Sequence, residues 1–173
     1  GVATAKNGLW NSTFVVPKDI NYLYGKGKIS LYAAGNNVDA QGADTAIVIG
    51  GSASNIAADT IPPVIKLFMD NESFVYGGLT GTNSMLISHL SDSSGINTAG
   101  LGIGHEITAT LDGNKENVKV LNEYYTSDLD NFQSGKVRYL FKNLRPGPHE
   151  LRVKAWDTHN NSCEKRIEFI VAS

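Results

Sequence analysis

The chain has 173 residues, enough to bury a core in one domain or in two small ones. Lys and Arg total 15 and Asp and Glu total 17, so the charge balance gives no reason to expect a nucleic acid or an anionic membrane as partner. The sequence has no apolar run of about 18 residues, which a membrane-spanning helix requires, and its single cysteine excludes an internal disulfide.

The first part of the chain predicts three short strands. They lie at residues 9–16 (LWNSTFVV), 28–34 (KISLYAA) and 45–50 (TAIVIG), separated by turn-forming Gly, Pro and Asn residues. Small residues at 51–59 then lead to Ile61-Pro62-Pro63, and this change predicts a boundary between a unit at residues 1–60 and a second at 61–173. Three strands are few for an independent sandwich, so we expect the first unit to be an incomplete β-sheet.

Period-two alternation dominates the second unit. Leu151, Val153 and Ala155 alternate with charged residues, the pattern of a half-buried antiparallel strand. Short segments that read as strands lie at 64–69, 85–90, 106–111, 118–121, 137–141, 149–156 and 165–171. We therefore expect an all-β fold, in which an immunoglobulin-like antiparallel β-sandwich follows a smaller, incomplete β-sheet unit. The residues expected in the core are Ile65, Leu67, Leu86, Ile107, Leu111, Leu151, Val153, Ile167 and Phe169.

The residue types used in nucleophilic catalysis occur without a supporting pattern. Cys163 is the candidate nucleophile, and His89, His105, His149 and His159 are the candidate bases. Cys163 begins a predicted strand with no catalytic signature around it, and such a cysteine usually behaves as a small apolar residue. The sequence therefore predicts no catalytic residue and no cofactor in this chain.

Two loops are rich in oxygen-bearing side chains, at residues 92–97 (DSSGIN) and 157–161 (DTHNN). Because Ca²⁺ takes carboxylate and amide oxygens as ligands, Asp92, Asp157 and Asn160 are the candidates for a calcium site. Neither loop has EF-hand spacing, and each supplies a single carboxylate. Asp and Asn also fold back to bond loop amides, and this structural role, without a metal, is the one that we predict.

The 7 tyrosines leave a second class of function open. Sugar-binding sandwiches present exposed aromatic rings beside polar groups, and Tyr124 and Tyr125 follow directly on a predicted strand. Tyr is also an ordinary strand residue with good β-propensity. A carbohydrate-binding or adhesive β-sandwich module is therefore the alternative function, and aromatic rings aligned on one sheet would favour it.

A series of short motifs carries a resemblance to a known family. They lie at residues 14–20 (FVVPKDI), 27–33 (GKISLYA), 61–69 (IPPVIKLFM), 92–98 (DSSGINT), 102–107 (GIGHEI), 120–125 (VLNEYY) and 155–157 (AWD) with 160–161 (NN). Their order and spacing resemble the C-terminal β-rich region of the PorU family. These are C25-family (gingipain-like) cysteine peptidases, or sortases, of the type IX secretion system. The resemblance covers nearly the whole chain.

The resemblance implies a segment of a larger protein. Its parent would be a C25-family cysteine endopeptidase at the outer membrane or cell surface of a Gram-negative bacterium. The catalytic Cys and His of such a peptidase would belong to an upstream α/β domain, so the resemblance assigns no catalytic residue here. It implies an accessory role, in which this region positions the peptidase, its cargo or its secretion partners. The partners expected are the upstream peptidase domain, secretion-system proteins or cargo sorting domains, with self-association through an open sheet edge and no nucleic acid.

Overall fold

The chain is built almost entirely from β-strands. The computed structural model describes residues 1–35, 37–52, 58–99 and 104–172. Two short 3-10 turns, Lys115–Asn117 and Asn122–Tyr124, accompany the strands. In this part of the chain we find no helix with the length and apolar character needed to cross a membrane. The all-β class that the sequence predicts is confirmed.

Four strands precede the sandwich and form two separate antiparallel pairs. They are β1 (Gly25–Lys26), β2 (Ile29–Ala34), β3 (Asp39–Asp44) and β4 (Val48–Ile49). Strand β1 pairs with β4, and β2 pairs with β3. An isolated two-stranded sheet is marginally stable in water, so neither pair is a folding unit by itself.

The remaining strands form a two-sheet sandwich. They are β5 (Val64–Met69), β6 (Leu79–Thr80), β7 (Ser84–Ser91), β8 (Thr108–Leu111), β9 (Lys119–Val120), β10 (Tyr125–Ser127), β11 (Ser134–Phe141), β12 (Gly147–Trp156) and β13 (Ser162–Val171). One sheet has the order β10-β11-β7-β5 and the other β6-β13-β12-β8-β9. These orders match the D-E-B-A and G-F-C sheets of immunoglobulin-like sandwiches, with β9 as an added edge strand. Strand β6 departs from the antiparallel scheme, because it pairs with β13 in parallel.

The core lies between the two sheets and follows the alternation in the sequence. Leu151, Val153 and Ala155 on β12 are each 0% exposed. Strand β12 pairs with β13 and with β8, which places Leu151 opposite both Ile167 and Leu111. Of the nine residues expected in the core, all but Leu67 and Leu111 are buried, and those two are partly buried and pack against it.

The N-terminal unit differs from the expected three strands. Residues 9–16 form no strand, and the backbone there makes a single bridge between Lys6 and Leu9. Strand β3 (DAQGAD) was not expected, because it lacks the β-branched and aromatic residues that signal strands. Among the described residues, none before residue 65 belongs to the buried core cluster, whereas Leu23, Tyr24 and Val38 are each more than three-quarters exposed, at 78%, 79% and 76%.

Two sequence features fall outside the described residues. Residues 53–57 form the centre of the predicted boundary segment, and Gly102 and Ile103 belong to one of the motifs. The division at residue 60 therefore stays a prediction.

We expect Leu151→Ala to lower the free energy of unfolding of the chain by about 2–5 kcal/mol, because it leaves a cavity at a fully buried site. Leu79→Ala is the matched control, since Leu79 is 71% exposed, and should change the stability by about 0.5 kcal/mol or less. Urea unfolding followed by tryptophan fluorescence measures both. Equal losses from the two variants would contradict the assignment of the core.

Candidate functional site

One end of the sandwich gathers polar side chains from segments far apart in the sequence. We call this group the junction cluster. It consists of Asp19, Asp59, Asp92, Asn97, His105, Trp156, Asp157, Asn160 and Asn161. It lies where β7 and β12 end and where the chain approaches β8. The loops that follow these strands are therefore brought together by the sandwich itself.

Asp19 anchors the N-terminal segment in this cluster. Its Oδ2 accepts hydrogen bonds from Asn97 Nδ2 at 2.8 Å and from His105 Nδ1 at 2.7 Å. Its side chain is 8% exposed, and the His105 ring packs on Trp156 with centroids 4.2 Å apart. Burial acts to raise the pKa of Asp19, but hydrogen bonds from His105, Asn160 and Asn97 outweigh it, so the pKa lies below its ordinary value.

Two hydrogen bonds from Lys18 to backbone carbonyls hold the same segment. The Lys18 amide donates to Thr158 O at 3.0 Å, and Lys18 Nζ donates to His159 O at 3.4 Å. Residues 18 and 19 thus lie against the turn that follows β12. The N-terminal unit is attached to the sandwich here, although none of its described residues belongs to the buried core.

Asp157 organises the turn after β12. It is 0% exposed, and its Oδ1 accepts the amides of His159 and Asn161, each at 2.8 Å. Its Oδ2 accepts Asn161 Nδ2 at 2.7 Å, and the same amide group donates to Asp59 O at 3.0 Å. Asp92 acts in the same way, since its Oδ1 accepts both the amide and the hydroxyl of Ser94 at 2.7 Å. These bonds are those of the loop-fixing role that the sequence predicts.

The calcium candidates are partly brought together. Asp92 and Asp157 lie with Asp59 so that one carboxylate oxygen of each falls within 4.8 Å of the others. Three such oxygens are ligands of the kind that Ca²⁺ takes. Asn160 Oδ1 is buried without a hydrogen-bond partner in the described part of the chain, but the Asn160 side chain lies against Asp19. A calcium site at these residues stays a prediction.

No sequence pattern predicted that Asp19, Asp59 and His105 belong to one site. Asp19 lies in a turn of the first unit, Asp59 lies in the boundary segment and His105 precedes a strand. No spacing rule joins three such positions, because their proximity depends on loop paths at one end of the sandwich. Their presence within or beside the motifs was the only signal.

The catalytic candidates are dispersed. Cys163 lies half-buried on β13 opposite Ala155, and its Sγ is 3.8 Å from Glu164 O. Each histidine ring makes a hydrogen bond with a different side chain: Glu72 for His89, Asp19 for His105, Asp112 for His149 and Thr158 for His159. Within the described residues, none of the four makes a hydrogen bond to Cys163.

Comparison with known proteins identifies the relationship. No family model matches the chain, and no curated protein matches it. A solved structure does match, that of dimeric latent PorU from Porphyromonas gingivalis, with 32% sequence identity and a TM-score of 0.66. The match covers 97% of this chain and 16% of the PorU chain.

The chain is a PorU-like C-terminal region. The likeness to PorU extends over both units, because 97% of the chain is matched. Motifs that carry the resemblance in the sequence also meet in space. Those at residues 14–20, 92–98, 102–107 and 155–157 with 160–161 supply Asp19, Asp92, Asn97, His105, Trp156, Asp157, Asn160 and Asn161 to the junction cluster. The cluster is therefore the part of this PorU-like region in which the motifs converge.

We expect Asp157→Ala to lower the free energy of unfolding by about 2 kcal/mol or more, because two partly buried amides and the Asn161 side chain lose their acceptor. The matched control is Asp44→Ala, which removes one exposed bond of the same kind and should cost about 1 kcal/mol or less. Urea unfolding is measured with a chelator present, where the loss should persist. A loss seen only with added Ca²⁺ would instead assign Asp157 to a cation.

The attachment of the N-terminal segment should depend on pH. A carboxyl group whose pKa is lowered on folding stabilises the folded arrangement above its ordinary pKa of 3.8, and this stabilisation is lost as the pH falls through the folded pKa. We therefore expect the hydrogen-exchange protection of the Lys18 amide to fall below pH 3.8. In Asp19→Asn the protection of the Lys18 amide should be low at every pH. If this protection did not change with pH in the wild-type protein, the role of Asp19 in the attachment would be contradicted.

Proposed function

We propose that this chain is a non-catalytic accessory region of a larger, C25-type cysteine peptidase of the cell surface. It would position the peptidase domain, its cargo or its partners in the type IX secretion machinery at the outer membrane of a Gram-negative bacterium. The likeness to PorU supports this, since it covers nearly the whole chain and a small part of PorU.

The uncovered N-terminal unit is the observation that carries the proposal. Many of its apolar side chains are exposed where a folded domain would bury them, among them Phe14 at 64% and Tyr32 at 70%. Large exposed apolar patches mark interaction surfaces, and two-stranded sheets need a further layer to be stable. The rest of the longer polypeptide would supply that layer.

The hairpin of β2 and β3 offers a specific mode of attachment. Within the described residues, each of its strands pairs with the other alone, so each has one free edge. A free edge presents unpaired backbone groups that accept an added strand. We infer that a strand of the upstream peptidase domain extends this sheet. Secretion-system proteins, cargo sorting domains and a second copy of the chain are the competing partners.

Polar substitution in the N-terminal unit should act differently in two settings. In the isolated chain, Leu23→Ser with Tyr24→Ser should leave stability unchanged and reduce self-association, because both side chains are exposed. In the complete polypeptide the same pair should destabilise the protein by about 1.5–3 kcal/mol per buried side chain. Urea unfolding and sedimentation measure the two effects.

Two controls keep this test specific. Tyr76→Ser changes an aromatic residue that is 54% exposed on the sandwich, and it should have no effect in either setting. Cys163→Ala should leave the peptidase activity of the complete polypeptide intact. If Leu23→Ser with Tyr24→Ser did not change the stability of the complete polypeptide, the proposed attachment would be contradicted. Loss of peptidase activity on Cys163→Ala would contradict the non-catalytic role.

A further inference from the structure

One long strand edge of the sandwich is left open by the part of the chain that the structure describes. Strand β5 lies at the end of the β10-β11-β7-β5 sheet and pairs with β7 alone. The nearest strand of the other sheet is β13, which lies across from β5 without pairing with it. Strand β6 covers β13 only at residues 170 and 171. The same side of the sandwich therefore remains open along β5.

The backbone groups of β5 alternate between β7 and this open side. The Asp70 amide donates to Met85 O at 2.7 Å, which continues the pairing of Met69 with Leu86. Because hydrogen-bonded pairs occur at every second residue of an antiparallel ladder, the N–H and C=O groups of Ile65 and Leu67 point away from β7. Neither residue makes a backbone hydrogen bond elsewhere in the described chain. Such unpaired groups can accept an added strand.

The side chains of the same two residues border an opening between the sheets. The apolar residues that line it are Ile65, Leu67, Phe74 and Ile167, and Leu67 and Phe74 are partly buried against the core. Its volume is about 250 Å³, below the range of roughly 300–1,000 Å³ for small-molecule sites. Residues of an added strand opposite Ile65 and Leu67 would share their face. Apolar side chains at these two positions would therefore enter the opening.

Charged residues protect the facing edge of β13 but not that of β5. Glu164, Lys165 and Arg166 follow one another on β13, and Lys165 is placed opposite Val153, which faces the core. A charged edge and an inward-facing charge both discourage strand addition. Strand β5 reads VIKLFM, with Lys66 as its single charged residue. The edge that can accept a strand is therefore that of β5.

The charge beside this edge is cationic. Neither Lys66 nor Lys165 forms an ion pair with any residue that the structure describes, and the described residues that line the opening include no carboxylate. Lys66 is exposed on the outer face of the sheet, level with His89 on β7. A residue opposite Lys66 on an added strand would stand beside its ammonium group. An acidic residue suits that position.

We propose that the β5 edge binds an extended segment of another protein as an added strand. Two apolar residues of that segment would lie opposite Ile65 and Leu67, and the acidic residue between them would lie opposite Lys66. The partner is thus recognised by an apolar–acidic–apolar pattern together with its backbone. The inference does not rest on the proposed accessory role, because it uses only the sandwich.

Hydrogen exchange measured by NMR on the full chain tests this pairing. The probe is an acetylated and amidated Val-Glu-Val-Glu-Val peptide. When the peptide is bound, the amides of Ile65 and Leu67 should gain protection, because they become ladder donors. The amides of Lys66 and Phe68, which already face β7, should not change. A peptide N-methylated at its valines should not bind, because its backbone cannot donate to the edge.

Charge reversal tests the acidic position. Lys66→Glu should weaken binding of the glutamate peptide about tenfold, since it replaces an attractive cross-strand pair by a repulsive one. The same variant should bind a Val-Lys-Val-Lys-Val peptide better than the wild type does. Lys115→Glu is the matched control, because Lys115 is exposed near β8, and it should bind both peptides as the wild type does.

Four results would each overturn the proposal. The first is no gain of protection at Ile65 and Leu67 with millimolar glutamate peptide and a folded chain. The second is equal binding of the N-methylated peptide, which would exclude strand addition. The third is equal binding of the two charged peptides by the wild type and by Lys66→Glu. The fourth is protection of both amides without peptide, which would assign the edge to the chain itself or, if it rises with protein concentration, to a second copy.

Discussion

The structure depends on the burial of one face of β12 between the two sheets of the sandwich. Leu151, Val153 and Ala155 face the core, and the register with β8 and β13 follows from that burial. A slip of one residue would expose the whole set, so the register is strongly specified. Strand β12 also positions residues at both ends of the sandwich, because His149 lies near its beginning and Trp156 and Asp157 lie at its end.

The sandwich and the N-terminal unit both contain large apolar side chains, but they differ in how far these side chains are buried. The sandwich has sheets on both sides of its apolar residues and buries Phe169, Leu86 and Ile107 almost completely. The N-terminal unit has comparable residues, such as Phe14 and Leu31, but they are exposed, and the part of the chain that the structure describes provides no second layer over them. It is held to the sandwich by polar contacts instead, through Lys18 and Asp19 and through Val2 and Thr4. Buried polar contacts give a defined attachment point but little of the apolar burial that makes a unit independent.

This difference links the fold to the functional conclusion. The buried core of the sandwich and the uncovered apolar residues of the N-terminal unit agree with the proposed role as part of a larger polypeptide. The likeness to a small fraction of PorU agrees with that view. In the sandwich, the junction cluster is a place where the chain meets its own N-terminal segment.

The sequence by itself determined the sandwich, most of its core and the loop-fixing chemistry of Asp92 and Asp157. These features are local, since alternation and turn residues are written along a single strand or loop. Tertiary structure alone decided the rest. It left residues 9–16 without a strand, paired β3 with β2 despite weak propensity, and brought Asp19, Asp59 and His105 to one place. It also set Tyr124 against Tyr139. Such contacts join loops and edges whose paths depend on how whole sheets pack, and no short-range pattern in the chain encodes that packing.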